Sequence, residues 1–436
     1  MISAGEPSRA RWDVADLKRR LCFALGIAKQ AVERLGKDGY KDSEQPANNV
    51  RPEKVICETA ILLYAASAAS HHADISAAIE TVARLLIPHA RSTRMLLGVC
   101  LEPSLALDFA EAHICLSRLG YQDPGFDELL RQSRNAQAGF ARERVPHRVL
   151  EQRWIDGIWM EAMSGRRDQA SPALMSVLNQ PIDLLGGGRD DIYAFTHALM
   201  YFRDFNIRPR RLPRARSVIL AEAEAALARC LDEDDYDLGG EVLMAWPLTG
   251  ASWNAAAAFG FRVLARVEDD NGHLPAPSTQ PQRLDGLDGE ARNDYWLATA
   301  YHTVFVMGLL CAAALHPGRA PPLRIPRAAA HPGAADTILQ FLDSDGRSPQ
   351  WRHAIDEIAA AERDALAGFL LNIALYRKVR RREFGAALEL LRIGYGSGLA
   401  DTPASSQCAE LLERLAVFER LTGISRADVE REPMPV

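Results

Sequence analysis

The chain has 436 residues, a formal net charge of -6, 48% hydrophobic residues and 25% charged residues. A chain of this length and apolar content can bury a large core and is neither disordered nor fibrous. Its mildly acidic balance gives no reason to expect nucleic acid as a partner. The first nine residues, Met-Ile-Ser-Ala-Gly-Glu-Pro-Ser-Arg, hold no apolar leader. No uninterrupted apolar run is long enough to span a bilayer, so no membrane span is expected. Seven cysteines are scattered without CxxC spacing, which fits reduced thiols in the cytoplasm. Arginine and alanine are abundant relative to lysine, a bias associated with GC-rich bacterial genomes.

Almost all periodicity is helical. Val14, Leu17, Leu21, Leu25 and Ala28 make one 3.6-residue stripe over 14–36. Further helical windows cover about 53–68, 74–87, 104–119, 126–138, 146–164, 190–205, 213–231, 237–247, 251–268, 292–315, 351–376, 383–394 and 405–421. Alanine and leucine dominate them, as helix propensity favours. No convincing alternation of β-branched residues appears, so strands should be few or absent. The breaks carry loop chemistry: Gly186-Gly187-Gly188 before Asp190, Asp269 to Pro277 leading into a loop to about 290, and a Pro/Gly-rich connection from His316 to Gly333. The domain expectation is an N-terminal helix and linker (1–50), one all-α domain (51–425) and a flexible tail (426–436).

Between two apolar helical segments lies the run Asp232-Glu233-Asp234-Asp235-Tyr236-Asp237. Carboxylates this close repel, so one of them can hold its proton near neutral pH. The blander expectation is an acidic cap for the helix at 237–247. Asp232-Glu233-Asp234-Asp235 resembles the DxDD pattern of class II terpene cyclases. The helix-end turn from Ala265 to Pro277 resembles that of α/α-toroid enzymes, a group that includes terpene cyclases and protein prenyltransferase β-subunits. The resemblance covers roughly residues 140–320. It implies an α/α toroid of inner and outer helices around a central cavity. It also implies Asp234 as proton donor, tuned by Asp232 and Asp235. The Thr and Ala that usually follow the motif are absent; Tyr236-Asp237 stand there. Prenyltransferases hold zinc with a Cys, an Asp and a His. Cys230, Asp232 and His302 would be the counterparts, with Cys and Asp in reversed order. No cofactor is the expectation, with zinc the exception to test.

Three further constellations bear on chemistry. Tyr193, His197, Tyr201 and Asp204 lie along one helix face. They make either a cavity wall or a packed core stripe around a satisfied histidine. Asp294, Tyr301 and His302 share a helix that continues into the apolar run Val304–Leu315; a buried His302 needs a partner. His147, Arg148, Glu151 and Trp154 follow the helix-starting Pro146, with His113 a possible neighbour of His147. Trp246 and Trp253 add aromatic surface that either lines the cavity or belongs to the core. There is no GxGxxG after a strand, Walker A, HExxH or GxSxG.

The expectation that follows is an enzyme taking a small-molecule substrate, in bacterial specialised metabolism. It would carry out acid-initiated cyclisation or isomerisation of an apolar, isoprenoid-like substrate. One alternative keeps the toroid but uses His197 and His302 with Asp204 or Asp237 as a lyase or hydrolase would. The other is a helical scaffold binding peptide or protein. Oligomeric state is not legible.

Overall fold

The computed structural model describes residues 13–36, 51–139, 142–164, 176–327, 332–343, 346, 349–399 and 401–431. Residues 1–12, most of the expected linker (37–50) and the last five residues of the expected tail lie outside that set. Among the described residues every regular element is helical. The first eight are α1 (Val14–Glu33), α2 (Pro52–Ala66), α3 (Ala73–Ala90), α4 (Thr93–Leu101), α5 (Ala106–Arg118), α6 (Pro124–Arg134), α7 (Pro146–Ser164) and α8 (Arg189–Arg203). Then come α9 (Arg216–Asp232), α10 (Tyr236–Leu243), α11 (Ala245–Thr249), α12 (Ala255–Asn271), α13 (Pro281–Asp285) and α14 (Gly289–Ala314). The C-terminal part holds α15 (Ala334–Asp343), α16 (Gln350–Asp356), α17 (Ala360–Asp364), α18 (Ala367–Arg380), α19 (Phe384–Gly396), α20 (Pro403–Thr422) and α21 (Arg426–Arg431).

Local chemistry sets the starts. Proline occupies the first turn of α2, α6 and α7, where its missing N–H costs nothing. Asp235 caps α10 by accepting from Leu238 N at 3.1 Å, and Asn254 caps α12 by accepting from Ala257 N at 2.9 Å. The window at 351–376 is three helices, because Ala359 takes an extended backbone (ψ 151) between α16 and α17. The window at 237–247 is likewise two, α10 and α11. Helices α4, α13 and α15 lie outside the expected helical windows, and α21 occupies residues expected to be a flexible tail.

Six helices pack in a closed cycle: α2 on α5, α5 on α7, α7 on α8, α8 on α10, α10 on α14, and α14 back on α2. The others cover this cycle. Helix α1 lies on α14, α2 and α3; α4 and α6 lie on α5; α9 and α12 lie on α10; and α18 packs on α9, itself covered by α15, α19 and α20. Arg20 fastens α1. Its buried guanidinium meets Asp16 (2.8 Å), Glu268 and Asp269 (2.8 Å). Helix α14 is apolar and long enough to cross a membrane, but 78% of its most apolar stretch is buried inside the molecule. It is a core helix. Gly240 lets α10 approach it, since a Cβ there would lie 2.6 Å from Val306 Cγ1.

Candidate functional site

Tyr301, His302 and Thr303 are consecutive on α14, so they fan out toward different neighbours. Tyr301 donates its hydroxyl to Glu58 Oε2 of α2 at 2.6 Å. His302 Nδ1 lies 3.1 Å from the same oxygen, out of line for a hydrogen bond. His302 Nε2 lies 3.5 Å from Asp237 Oδ1 and 3.9 Å from Glu241 Oε1. Thr303 donates to Asp237 Oδ1 at 3.2 Å. Asp237 and Glu241 stand one turn apart on α10, on one face.

Helix α8 closes the other side. Thr196 donates to Glu241 Oε2 at 2.5 Å, and His197 Nδ1 lies 3.4 Å from that oxygen. Glu241 therefore stands between two histidines. Tyr193 stacks on His197 with ring centres 3.8 Å apart, and His147 of α7 meets both rings at 5.5 and 6.2 Å. Deeper along α8, Tyr201 donates to Glu151 Oε1 at 2.6 Å, which also accepts from Arg148 at 2.9 Å. Asp204 ends the stripe, accepting from Tyr64 (2.8 Å), Trp154 (2.7 Å) and Arg208 (3.0 Å). It holds a left-handed backbone at φ 50, and its three hydrogen bonds offset that cost.

The cluster is buried on one side and reachable on the other. Glu241 is 3% exposed, whereas the side chains of His302 and Arg189 are 28% and 45% exposed. Arg189 opens α8 and donates to both Asp235 (2.7 Å) and Asp237 (3.1 Å).

Proximity splits the ionisation states. Burial alone would discharge His302, but Glu58 and Asp237 outweigh it and push the imidazole up to about 10. Burial would likewise protonate Glu58, but His302 holds it down to about 2. Glu241 is also lowered, its burial outweighed by His197 and His302. Asp237 is raised, by burial and then by Glu241 and Asp235. His147 moves the opposite way from His302: burial, Arg148 and His197 all lower it. Glu111 on α5 is raised well above the usual carboxylate range by burial, Glu151 and Asp108.

The acidic turn is divided. Asp232 is fully buried, gripped by Arg377 at 2.6 and 2.9 Å and by Trp351 Nε1 at 3.1 Å. Asp234 is exposed, at φ 55, and accepts from Tyr236 (2.8 Å) and Gln350 N (3.3 Å). It does not join the histidines. Asp235 is the helix cap. Only Asp237 enters the cluster. Trp246 and Trp253 are not a wall at the histidines: they stack on each other at 6.5 Å, with Trp253 edge-on to Phe261. His113 pairs with Asp127 at 3.1 Å rather than with His147. Asp294 accepts from Arg34 at 2.8 Å. Among the described residues no group of His, Cys, Asp or Glu is arranged to hold a metal ion. Asp232 is taken by Arg377, and His302 by Glu58 and Asp237. Cys230 is a buried thiol raised well above its usual range, first by burial.

Sequence reasoning missed Glu58, Glu111 and Glu241, and it grouped Glu151 only with its chain neighbours His147, Arg148 and Trp154. Each of the first three sits among apolar neighbours within a helical window: Glu58 in Val55-Ile56-Cys57-Glu58-Thr59-Ala60-Ile61, Glu111 in Phe109-Ala110-Glu111-Ala112, and Glu241 in Gly240-Glu241-Val242-Leu243. Such a residue is rarely buried without a partner, and that was the available signal.

Fold and site together define an all-helical protein, in its described residues, with a histidine–carboxylate cluster built from helices α2, α7, α8, α10 and α14 of one packing cycle. The chain belongs to the family described as "Domain of unknown function (DUF6895)", whose model matches residues 24–312. That span contains every cluster residue from Glu58 to His302. No curated protein and no solved structure matches the chain.

Proposed function

We propose that this protein is an acid–base enzyme acting on a polar small molecule, as a lyase, isomerase or hydrolase does, at the centre of an α/α toroid. The closed packing cycle of α2, α5, α7, α8, α10 and α14 supports the toroid. It does not favour the open superhelix that a peptide-binding scaffold requires. The observation that carries the chemistry is the Glu241 carboxylate between His197 (3.4 Å) and His302 (3.9 Å). It joins an imidazole held protonated to a second histidine pair. Two titratable groups pushed in opposite directions mark an acid and a base. His302 is the proton donor and His147 the acceptor. Glu58 and Asp237 hold His302 charged, and Tyr193 positions His197.

The test is turnover of a panel of polar metabolites (esters, amides, hydroxy acids and sugar acids) followed by NMR. His302→Gln and His147→Gln should each lower turnover at least a hundredfold with unchanged circular dichroism. Wild-type rates in both variants would end the proposal.

A second reading keeps acid-initiated cyclisation of an apolar, isoprenoid-like substrate, with the acid relocated. Glu111 is the observation that favours it: a buried carboxylic acid, raised by burial, Glu151 and Asp108, with Oε1 lacking a hydrogen-bond partner. That reading expects Glu111→Gln, and not Asp234→Asn, to abolish turnover of an apolar polyene.

A further inference from the structure

Helix α8 begins beside the histidines and ends on Arg203, where a second set of charges gathers. Arg203 Nε donates to Leu248 O at 2.8 Å, and its Nη1 donates to Arg210 O. Leu248 lies in the last turn of α11, which closes on Gly250 at φ 73. Arg319, in the loop after α14, presses its guanidinium onto that glycine: a Cβ there would fall 2.0 Å from Nη1. Gly250 is thus required both by its backbone angle and by the close approach. Arg216, the first residue of α9, reaches Gly250 O at 3.4 Å. Trp253 Nε1 donates to Arg319 O at 2.7 Å, which fixes the loop. Three guanidinium groups from three elements meet on one short turn.

No acid among the described residues answers them. Arg20, Arg189, Arg208, Arg214 and Arg377 each have a carboxylate within 3.1 Å. Among the described residues, none lies within ion-pairing distance of Arg203, Arg216 or Arg319. Arg203 is half-buried; burial and then repulsion from Arg319 bring it down to about 10. His316, in the same loop, is lowered by burial, Arg319 and His71. Its Nε2 is buried without a hydrogen-bond partner. The carbonyls of Leu248 and Gly250 take one N–H group each from Arg203 and Arg216, and the negative end of a helix dipole favours a nearby cation. They do not account for three. A carbonyl is a dipole and leaves the net charge standing, and each guanidinium has five N–H donors to place.

We propose that Arg203, Arg216 and Arg319 form a site for a phosphate-type oxyanion, either the free anion or the phosphoryl group of a small ligand. A tetrahedral oxyanion of charge about -1.5 to -2 supplies several strong acceptors at once. It would turn the repulsion between Arg203 and Arg319 into shared attraction. This site is independent of the acid–base chemistry proposed above and stands or falls without it.

The experiment is thermal unfolding and titration calorimetry with inorganic phosphate and with glycerol 3-phosphate, against sodium chloride at matched ionic strength. At least one phosphate probe should raise Tm saturably, where chloride does not. Arg319→Gln and Arg216→Gln should each weaken Kd at least tenfold. Arg319 and Arg216 form no ion pair with a described residue, so both variants are expected to fold, with ligand-free Tm within a few degrees of wild type. The ester binding more tightly would identify a phosphorylated small ligand, and phosphate binding as well would identify the free anion; either outcome supports the site. A shift no greater than that from chloride, or a saturable shift unchanged in both variants, overturns it.

Discussion

Replacing Glu58 by Gln tests the electrostatics of the cluster most directly. The substitution keeps the side-chain size and an acceptor for Tyr301 but removes the charge beside His302. Two unit charges at the observed 3.1 Å attract by about 5 kcal/mol at an effective dielectric of roughly 20. At about 1.36 kcal/mol per pKa unit, that is as large as the whole elevation of His302 from 6.5 to about 10. Both side chains retain some solvent access, at 28% and 21%, and Asp237 remains 3.5 Å away. About half the figure is therefore expected: a fall of roughly two units, or ~2–3 kcal/mol. Two-dimensional NMR of the histidine Cε1–H resonances between pH 5 and 11 reads this directly. The linkage has a definite sign. A histidine raised on folding stabilises fully below its unfolded value of 6.5, and that contribution is lost as pH rises through about 10. Glu58, lowered to about 2, contributes above 4.5, and its contribution is lost as pH falls through about 2. Wild type should therefore lose stability toward both limits, whereas Glu58→Gln should start lower and respond less to alkali. A His302 pKa that moves by less than half a unit would show that Glu58 does not hold the imidazole charged.

Three further outcomes follow from single contacts. Asp232→Ala leaves the buried Arg377 guanidinium without its carboxylate and should cost about 3–5 kcal/mol in urea unfolding; a loss below 1 kcal/mol would show that the pair is not load-sharing. Gly240→Ala drives a methyl into Val306 and should cost about 1–3 kcal/mol. The second change Val306→Ala should recover part of that, and failure to do so would place the clash elsewhere. Asp234→Asn keeps an acceptor for Tyr236 and Gln350 and a residue tolerant of φ 55. It should change stability by less than about 0.5 kcal/mol and leave any turnover intact, so lost turnover would restore Asp234 as the acid.

Most helices are legible in the chain, because apolar spacing and capping residues act locally; the short α4, α13, α15 and α21 are not. The stripe Tyr193–His197–Tyr201–Asp204 was legible for the same reason: one helix face is a local property. What the stripe meets was not. His302 and Glu58 are 244 positions apart, and nothing local to either signals the other. The acidic turn shows the limit most clearly. Four aspartates within six positions look equivalent as a pattern, yet the backbone turns through φ 55 at Asp234 and sends each a different way. The closed cycle of helices depends on α14 returning to α2, a long-range contact that periodicity does not encode.

That division explains why a dense acidic run need not be a reactive one. A carboxyl is raised only where burial and like charge outweigh the cations and donors beside it. In this run Arg377 grips Asp232, Leu238 N and Arg189 donate to Asp235, and Asp234 faces solvent. Asp237 alone is carried by the first turn of α10 into the buried cluster, one turn from Glu241, where burial and a like charge raise it. The same first turn that capping chemistry fixes therefore sets which acid reaches His302. Moving the cap by one residue would rotate Asp237 by about 100° and take it off the face it shares with Glu241. Capping and placement are one arrangement in this run: Asp235 holds the helix in the register that brings Asp237 beside His302.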